Sequence, residues 1–189
     1  MVDKINANID LQKVLEFATE KHKGQFRDNG DPYIVHPIRV AKIVDQYKGQ
    51  TSKNREILLA AALLHDTLED TYTSYKELSE NFGKIVASMV VELTTAPYVP
   101  KMIGKAKYLS EKMIDMTSYS LIIKLADRLD NLSDLANSTE AKKIKTINDT
   151  KYILEQLTSK RELTTAQTNL VNAIKNQINV LENKEEIIL

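Results

Sequence analysis

The sequence predicts an all-α fold, a bundle of about eight to ten helices, on three observations. Apolar residues recur at three- and four-residue spacing, helix start and stop signals punctuate them, and no stretch alternates with a period of two for long enough to build a sheet. The first helix covers roughly Leu11 to His22 and stops at Gly24. A loop from Arg27 to Tyr33, carrying Gly30 and Pro32, leads to His36. Pro37 suits a first helical position, which makes His36 the expected N-cap of a helix burying Ile38, Val40, Ala41, Ile43 and Val44. The next helix, about Lys53 to Leu68, contains Ile57-Leu58-Leu59-Ala60-Ala61-Ala62-Leu63-Leu64, apolar on every face and therefore buried all round. Ser74 with Glu77 has the spacing of a capping box for a short helix ending at Gly83. An amphipathic helix follows over Lys84 to Thr94. Pro97, Pro100 and Gly104 interrupt the pattern before a lysine- and methionine-rich helix, about Lys101 to Met116. After the helix around Asp127, two long helices run from about Ala141 to Leu157 and from Leu163 to Asn183. The last carries Leu163, Ala166, Leu170, Ile174, Ile178 and Leu181 on one stripe, which suits core or homodimer packing.

Chemistry concentrates in His65-Asp66-Thr67-Leu68-Glu69-Asp70, at the end of the wholly apolar run. A bare His-Asp dipeptide carries little weight, but this one emerges from a buried helix, where unpaired carboxylates cost several kcal/mol. They need a cation, hydrogen bonds or a raised pKa. Asp127 repeats the pattern after Leu121-Ile122-Ile123-Lys124-Leu125-Ala126, with Asp127, Asn131 and Asp134 on one helix face. Two apolar helices with local polar stripes are best explained by stripes that meet. With His36 they bring two imidazoles and two carboxylates, His36, His65, Asp66 and Asp127. That donor set suits one divalent metal such as manganese, iron or zinc. Glu69 and Asp70 fall one helical turn beyond the dipeptide, on the same side.

Composition narrows the function further. The chain has 189 residues, with 26 Lys plus Arg balancing 26 Asp plus Glu, so no global basic field is available for nucleic acid. With 0 cysteines, disulfides and thiolate metal sites are excluded. Met1 to Asn8 lacks an apolar signal core, and no apolar run approaches the length of a membrane span. The expectation is one soluble cytoplasmic domain over residues 1–189, with its motifs between about 17 and 135 and packing helices over about 140–185.

Several blocks resemble one family in order: Phe17-Ala18, His22-Lys23-Gly24-Gln25-Phe26-Arg27, Gly30 through Val40, Ala61 through Thr71, Phe82-Gly83 and Lys124 through Leu132. Together they resemble the HD-domain hydrolases of the RelA/SpoT type, most nearly the stand-alone small alarmone hydrolases that include the metazoan SpoT homologue. The resemblance implies an HD-domain helical bundle and manganese-dependent removal of the 3′-diphosphate from guanosine tetra- and pentaphosphate, leaving GDP or GTP plus diphosphate. It implies His36, His65, Asp66 and Asp127 as metal ligands, Glu69 and Asp70 as the paired catalytic acids, and Arg27 as the arginine stacked on the base. Asn131 would meet the nucleoside and Tyr33 the pocket wall. Lys101, Lys105 and Lys107 are offered for phosphates, and His22 as a hydrogen-bonded scaffold residue. The chain departs from the family at Asp31, where glutamate is commoner, at Ser133, where many relatives carry arginine, and over Thr94 to Lys107. Those departures leave room for the same chemistry on an adenosine alarmone or the 2′-phosphate of NADPH. A catalytically dead nucleotide-sensing or antitoxin module is the third reading, but such a module has no physical need for six clustered ionisable groups.

Overall fold

The computed structural model describes residues 9–48 and 52–186; Met1 to Asn8 lie outside them. Among the described residues it is helical throughout, with eleven α-helical segments and one 3₁₀ turn. Helix α1 (Leu11–Lys21) starts where the Asp10 carboxylate accepts from the Gln12 and Lys13 amides, and it buries Val14 and Ala18. The loop after it is drawn together by an isolated antiparallel bridge between Phe26 and Pro32. Helix α2 (Val35–Lys48) begins two residues earlier than expected. His36 and Pro37 both lie inside its first turn, where the amide that proline lacks has no helical partner to lose.

The apolar helix is shorter than its periodicity suggests. Helix α3 (Arg55–Leu64) buries every residue from Leu58 to Leu64, and a separate turn, α4 (Thr67–Asp70), follows it. The break has a side-chain cause. His65 Nδ1 lies 2.8 Å from the Ala62 carbonyl oxygen, and Thr67 Oγ1 donates to the Leu64 carbonyl at 2.7 Å. Side chains therefore hold two carbonyls at the helix end, where backbone partners run out.

Helix α5 (Tyr75–Phe82) opens with Ser74 Oγ accepting from the Glu77 amide at 3.1 Å. The Glu77 carboxylate turns instead to Lys21 Nζ at 2.7 Å. Gly83, at φ 88, joins α5 to α6 (Lys84–Leu93) in a conformation that L side chains rarely adopt. The expected lysine-rich helix is two pieces, α7 (Val99–Ile103) and α8 (Lys105–Asp115), because Gly104 at φ 91 breaks it. Helix α9 (Ser118–Ser133) buries ten of its residues and ends in the 3₁₀ turn Asp134–Asn137. Helices α10 (Glu140–Lys160) and α11 (Thr165–Glu186) close the bundle. Leu170, Ile174 and Ile178 of the α11 stripe are fully buried core residues, and α11 packs on α9. The stripe is core.

Helix α3 sits at the centre against α1, α2, α6 and α9, while α2 and α9 pack on each other. The small side chains Ala60, Ala61 and Ala62, each fully buried, let these neighbours approach closely. Cores of this density lose about 2–5 kcal/mol when a leucine is cut to alanine, so the end of α3 is a stiff platform. No helix among the described residues is long and apolar enough to cross a membrane.

Candidate active site

The platform brings together residues far apart in the chain. His36 comes from the first turn of α2, His65 and Asp66 from the break between α3 and α4, and Asp127 from α9. Ligand atoms of His36, His65 and Asp127, all buried, lie within 4.8 Å of one another. Asp66 completes the cluster: its Oδ2 is 3.1 Å from His65 Nε2 and 3.5 Å from His36 Nε2. Asp127 Oδ1 faces the same two nitrogens at 3.4 Å from His36 and 4.0 Å from His65.

The donor set fits a divalent cation. Each imidazole has its Nδ1 against an acceptor, His65 on the Ala62 carbonyl and His36 on Asp130 Oδ2 at 2.6 Å, so each Nε2 is left to face the cluster. His65 Nε2 is buried without an aligned hydrogen bond although a carboxylate oxygen lies beside it. Buried polar atoms are rarely left that way, and a cation supplies the missing partner.

Protons and a metal compete for this site. Burial, the strongest influence on His36, lowers its proton affinity, but hydrogen bonds to Asp127, Asp130 and Asp66 together push its pKa up to about 11. His65 is likewise raised against its burial, by the charges of Asp66 and Asp127. Burial pushes Asp66 and Asp127 up. The histidines, with Lys124 for Asp127, outweigh it and hold both well below the usual carboxylate range. His36 therefore carries a second ring proton at neutral pH that a metal must displace, and the raised proton affinity of His65 works in the same direction. Metal affinity is expected to rise with pH towards the His36 value and to fall on acidification, with protons released on binding. Calorimetry in buffers of differing ionisation enthalpy measures that release, and binding heats independent of buffer would refute the proton competition.

Two carboxylates stand beside the cluster. Asp70 has its proton affinity raised, first by burial and then by the charges of Asp66 and Glu69. Tyr33 Oη lies 2.7 Å from Asp66 Oδ2 and 3.2 Å from Asp70 Oδ2, and its hydrogen bond to Asp70 offsets part of that rise. Glu69 Oε2 accepts from the Thr95 amide at 2.8 Å. The helix break changes their setting: both acids lie in the first turn of α4, not at the end of one long helix.

Two adjoining cavities open from this point. One of about 300 Å³ is lined by His36, Asp66, Glu69, Asp70 and Asp127, with Lys105 and Lys124. The other, about 450 Å³, is lined by Arg27, Asn29, Lys142 and Lys145 among others. Tyr33, Lys105, Leu109, Arg128 and Asn131 form walls of both. Their sizes fall in the range of ligand pockets. Arg27 lies over the Tyr33 ring at 5.8 Å and is tied by Nε and Nη2 to Asp134 Oδ2 at 3.0 and 2.8 Å, and by Nη2 to Asn131 Oδ1 at 3.1 Å. Asn131 Nδ2 in turn donates to Asp127 Oδ1 at 2.5 Å, which links the two cavities. Of the three lysines anticipated for phosphates, Lys105 lines the cavities, while Lys101 and Lys107 are exposed and line neither. Ser133 is also exposed and outside both walls. His22 is a scaffold residue: its Nδ1 lies 2.7 Å from Gln25 Oε1, its ring stacks on Tyr33, and Gln25 Nε2 donates to the Asp70 carbonyl at 2.7 Å.

Sequence reasoning missed the groups around the cluster. Lys124, nearly buried, pairs with Asp127 Oδ2 at 3.0 Å, which leaves Oδ1 towards the histidines. Asp130 holds His36, and Arg39 binds both Asp130 and Asp134. A lysine three residues before Asp127 was visible as spacing. The partners of His36 and Arg39 lie 91 to 95 positions away and had no local signal.

Fold and site together define a class: helical hydrolases in which a His-Asp dipeptide, a second histidine and a distant aspartate can hold a divalent metal. The chain belongs to the HD-domain family, whose profile, described as HD domain, matches residues 14–163. Among its relatives is the guanosine-3′,5′-bis(diphosphate) 3′-pyrophosphohydrolase MESH1 of Xenopus tropicalis, 42% identical over 135 residues, covering 69% of this chain and 73% of that protein. An Aquifex aeolicus protein, named guanosine-3′,5′-bis(diphosphate) 3′-pyrophosphohydrolase, is 40% identical over 157 residues. That match covers 78% of this chain, which spans only 21% of the Aquifex protein. A solved metazoan orthologue of SpoT, described as hydrolysing ppGpp, superposes with a TM-score of 0.73 at 28% identity, over 88% of this chain and 94% of that one. A Listeria monocytogenes structure shares the fold at TM-score 0.59 and 21% identity.

Proposed function

We propose that the chain is a cytoplasmic guanosine-3′,5′-bis(diphosphate) 3′-diphosphatase that releases diphosphate from guanosine tetra- or pentaphosphate. The observation that carries the reading is the meeting of the His36, His65, Asp66 and Asp127 cluster with Asp70 and Glu69 at the smaller cavity, which shares the walls Tyr33, Lys105 and Asn131 with the larger one. The names of the relatives point to the same substrate. Those four residues would hold manganese, which when bound polarises the diphosphate and acidifies water. Two imidazoles favour manganese over magnesium, whose sites are usually all-oxygen.

The protein's own groups do the rest. Asp70, with its raised proton affinity and position at the cavity wall, takes the proton of the attacking water. Glu69, fixed by the Thr95 amide, positions that water. The water oxygen joins the phosphorus nearest the ribose, the bond from that phosphorus to the 3′ oxygen breaks, and the proton passes to the leaving oxygen. Lys124 and Lys105 present cations to the smaller cavity, where the diphosphate charge collects. Arg27 offers a planar guanidinium to the purine, and Asn131 an amide to the nucleoside.

Incubating the chain and manganese with guanosine tetraphosphate, its adenosine analogue and NADPH, then separating the products by chromatography, tests this directly. Diphosphate and GDP are expected from the guanosine compound, with activity abolished by EDTA. Release of phosphate from NADPH with none from guanosine tetraphosphate overturns the assignment. A second result is expected at the base: Arg27→Ala should raise KM more than it lowers kcat, by roughly two- to thirty-fold, the worth of a stacking or cation–π contact of about 0.5–2 kcal/mol. Steady-state kinetics decide it, and an unchanged KM places the base elsewhere.

A further inference from the structure

Behind the metal-facing side of His36 lies a chain of alternating charges. His36 Nδ1 is 2.6 Å from Asp130 Oδ2, and both side chains are buried. Asp130 is gripped from the other side by Arg39, whose Nε donates to Oδ1 at 2.6 Å and whose Nη2 donates to Oδ2 at 3.1 Å. Arg39 Nη2 also donates to Asp134 Oδ2 at 2.6 Å, and Asp134 holds Arg27. Asp130 touches neither cavity and is too far inside to meet a substrate.

From this geometry we infer that Asp130 is a positioning residue for metal binding, with Arg39 as its clamp; the inference rests on the ligand role proposed for His36. A carboxylate accepts only, so opposite it His36 Nδ1 keeps the ring proton, and once a metal has displaced the other proton Nε2 offers its lone pair to the ion. His65 reaches the same state through a backbone carbonyl, which no substitution removes. His36 depends on a side chain, and Arg39 holds both oxygens of that side chain. Asparagine at position 130 reverses the arrangement. Its oxygen is drawn to the Arg39 guanidinium, so its NH₂ faces His36, Nδ1 becomes the acceptor, and the proton moves to Nε2, where the metal should sit. An amide in place of a carboxylate behind a working imidazole selects the wrong tautomer.

The test is metal affinity, read by competition between the full chain and a fluorescent zinc chelator, with thermal melting of each metal-free variant alongside. Asp130→Asn is expected to weaken zinc binding by roughly 10- to 100-fold, the usual cost of losing such a partner. Arg39→Gln, which leaves the carboxylate but frees it, should give a smaller loss in the same direction. In proton NMR of the zinc-loaded parent, the Nδ1 proton of His36 should be shifted far downfield by its short bond to Asp130. Only 3 histidines are present, so the assignment is tractable. A folded Asp130→Asn variant with parental zinc affinity overturns the inference, as does a zinc-loaded parent lacking the downfield proton. Should Asp130→Asn fail to fold, the parental spectrum and Arg39→Gln still decide. No nucleotide enters these measurements, so a failed substrate assignment leaves them standing, and their failure leaves the product test untouched.

Discussion

Asp127→Ala is expected to bind no metal, to be inactive and to melt about 6–20 °C below the parent even without metal. The stability loss follows from what Asp127 holds. Lys124 is nearly buried and, among the described residues, has Asp127 as its salt-bridge partner, while Asn131 donates to the other oxygen. Removing one member of a buried pair costs about 3–5 kcal/mol, because the remaining charge is stranded. In a domain of this length each kcal/mol moves the melting temperature by about 2–4 °C. His65→Ala should also lose the metal, but it leaves the Lys124–Asp127 pair intact and should cost less stability. Elemental analysis after dialysis and thermal melts in EDTA test both. An alanine variant that keeps stoichiometric metal and the parental melting point removes Asp127 from the site.

Asp70→Asn and Glu69→Gln should separate chemistry from binding. Both keep the shape of the side chain and neither belongs to the metal cluster, so metal content and melting should match the parent. Turnover is expected to fall by roughly 10²–10⁴-fold, the span of general acid–base catalysis. Asp70 should show the larger loss, since burial and the charges of Asp66 and Glu69 raise its proton affinity towards the working range. Glutamine at 69 can still accept from the Thr95 amide, so what it loses is charge alone. Near-normal rates in both variants would reduce the two acids to a structural role.

The sequence made the cluster visible because ionisable residues at the ends of apolar runs are energetically anomalous, and His65, Asp66 and Asp127 all are. Helix order was visible for the same reason: periodicity survives wherever packing is regular. The break at His65 was not, because Leu68 continues the apolar pattern and only the bonds of His65 and Thr67 to nearby carbonyls reveal the interruption. The Gly104 break needed a backbone angle that composition does not encode. Arg39, Asp130 and Asp134 look like ordinary surface charges in sequence. Their role exists only once α2 and α9 are packed together.

The placement of the cluster has a consequence for the abundance of the folded protein. With 0 cysteines the chain cannot form a disulfide. A cation shared by His36, the His65-Asp66 turn and Asp127 would cross-link three helices distant in the chain, much as a disulfide framework does. Its binding energy then adds directly to folding, by about 2.7 kcal/mol when free metal stands at 100 times its dissociation constant. Metal supply would thus set how much of the chain resists proteolysis as well as how fast it turns over, and starvation for the ion would deplete the enzyme itself.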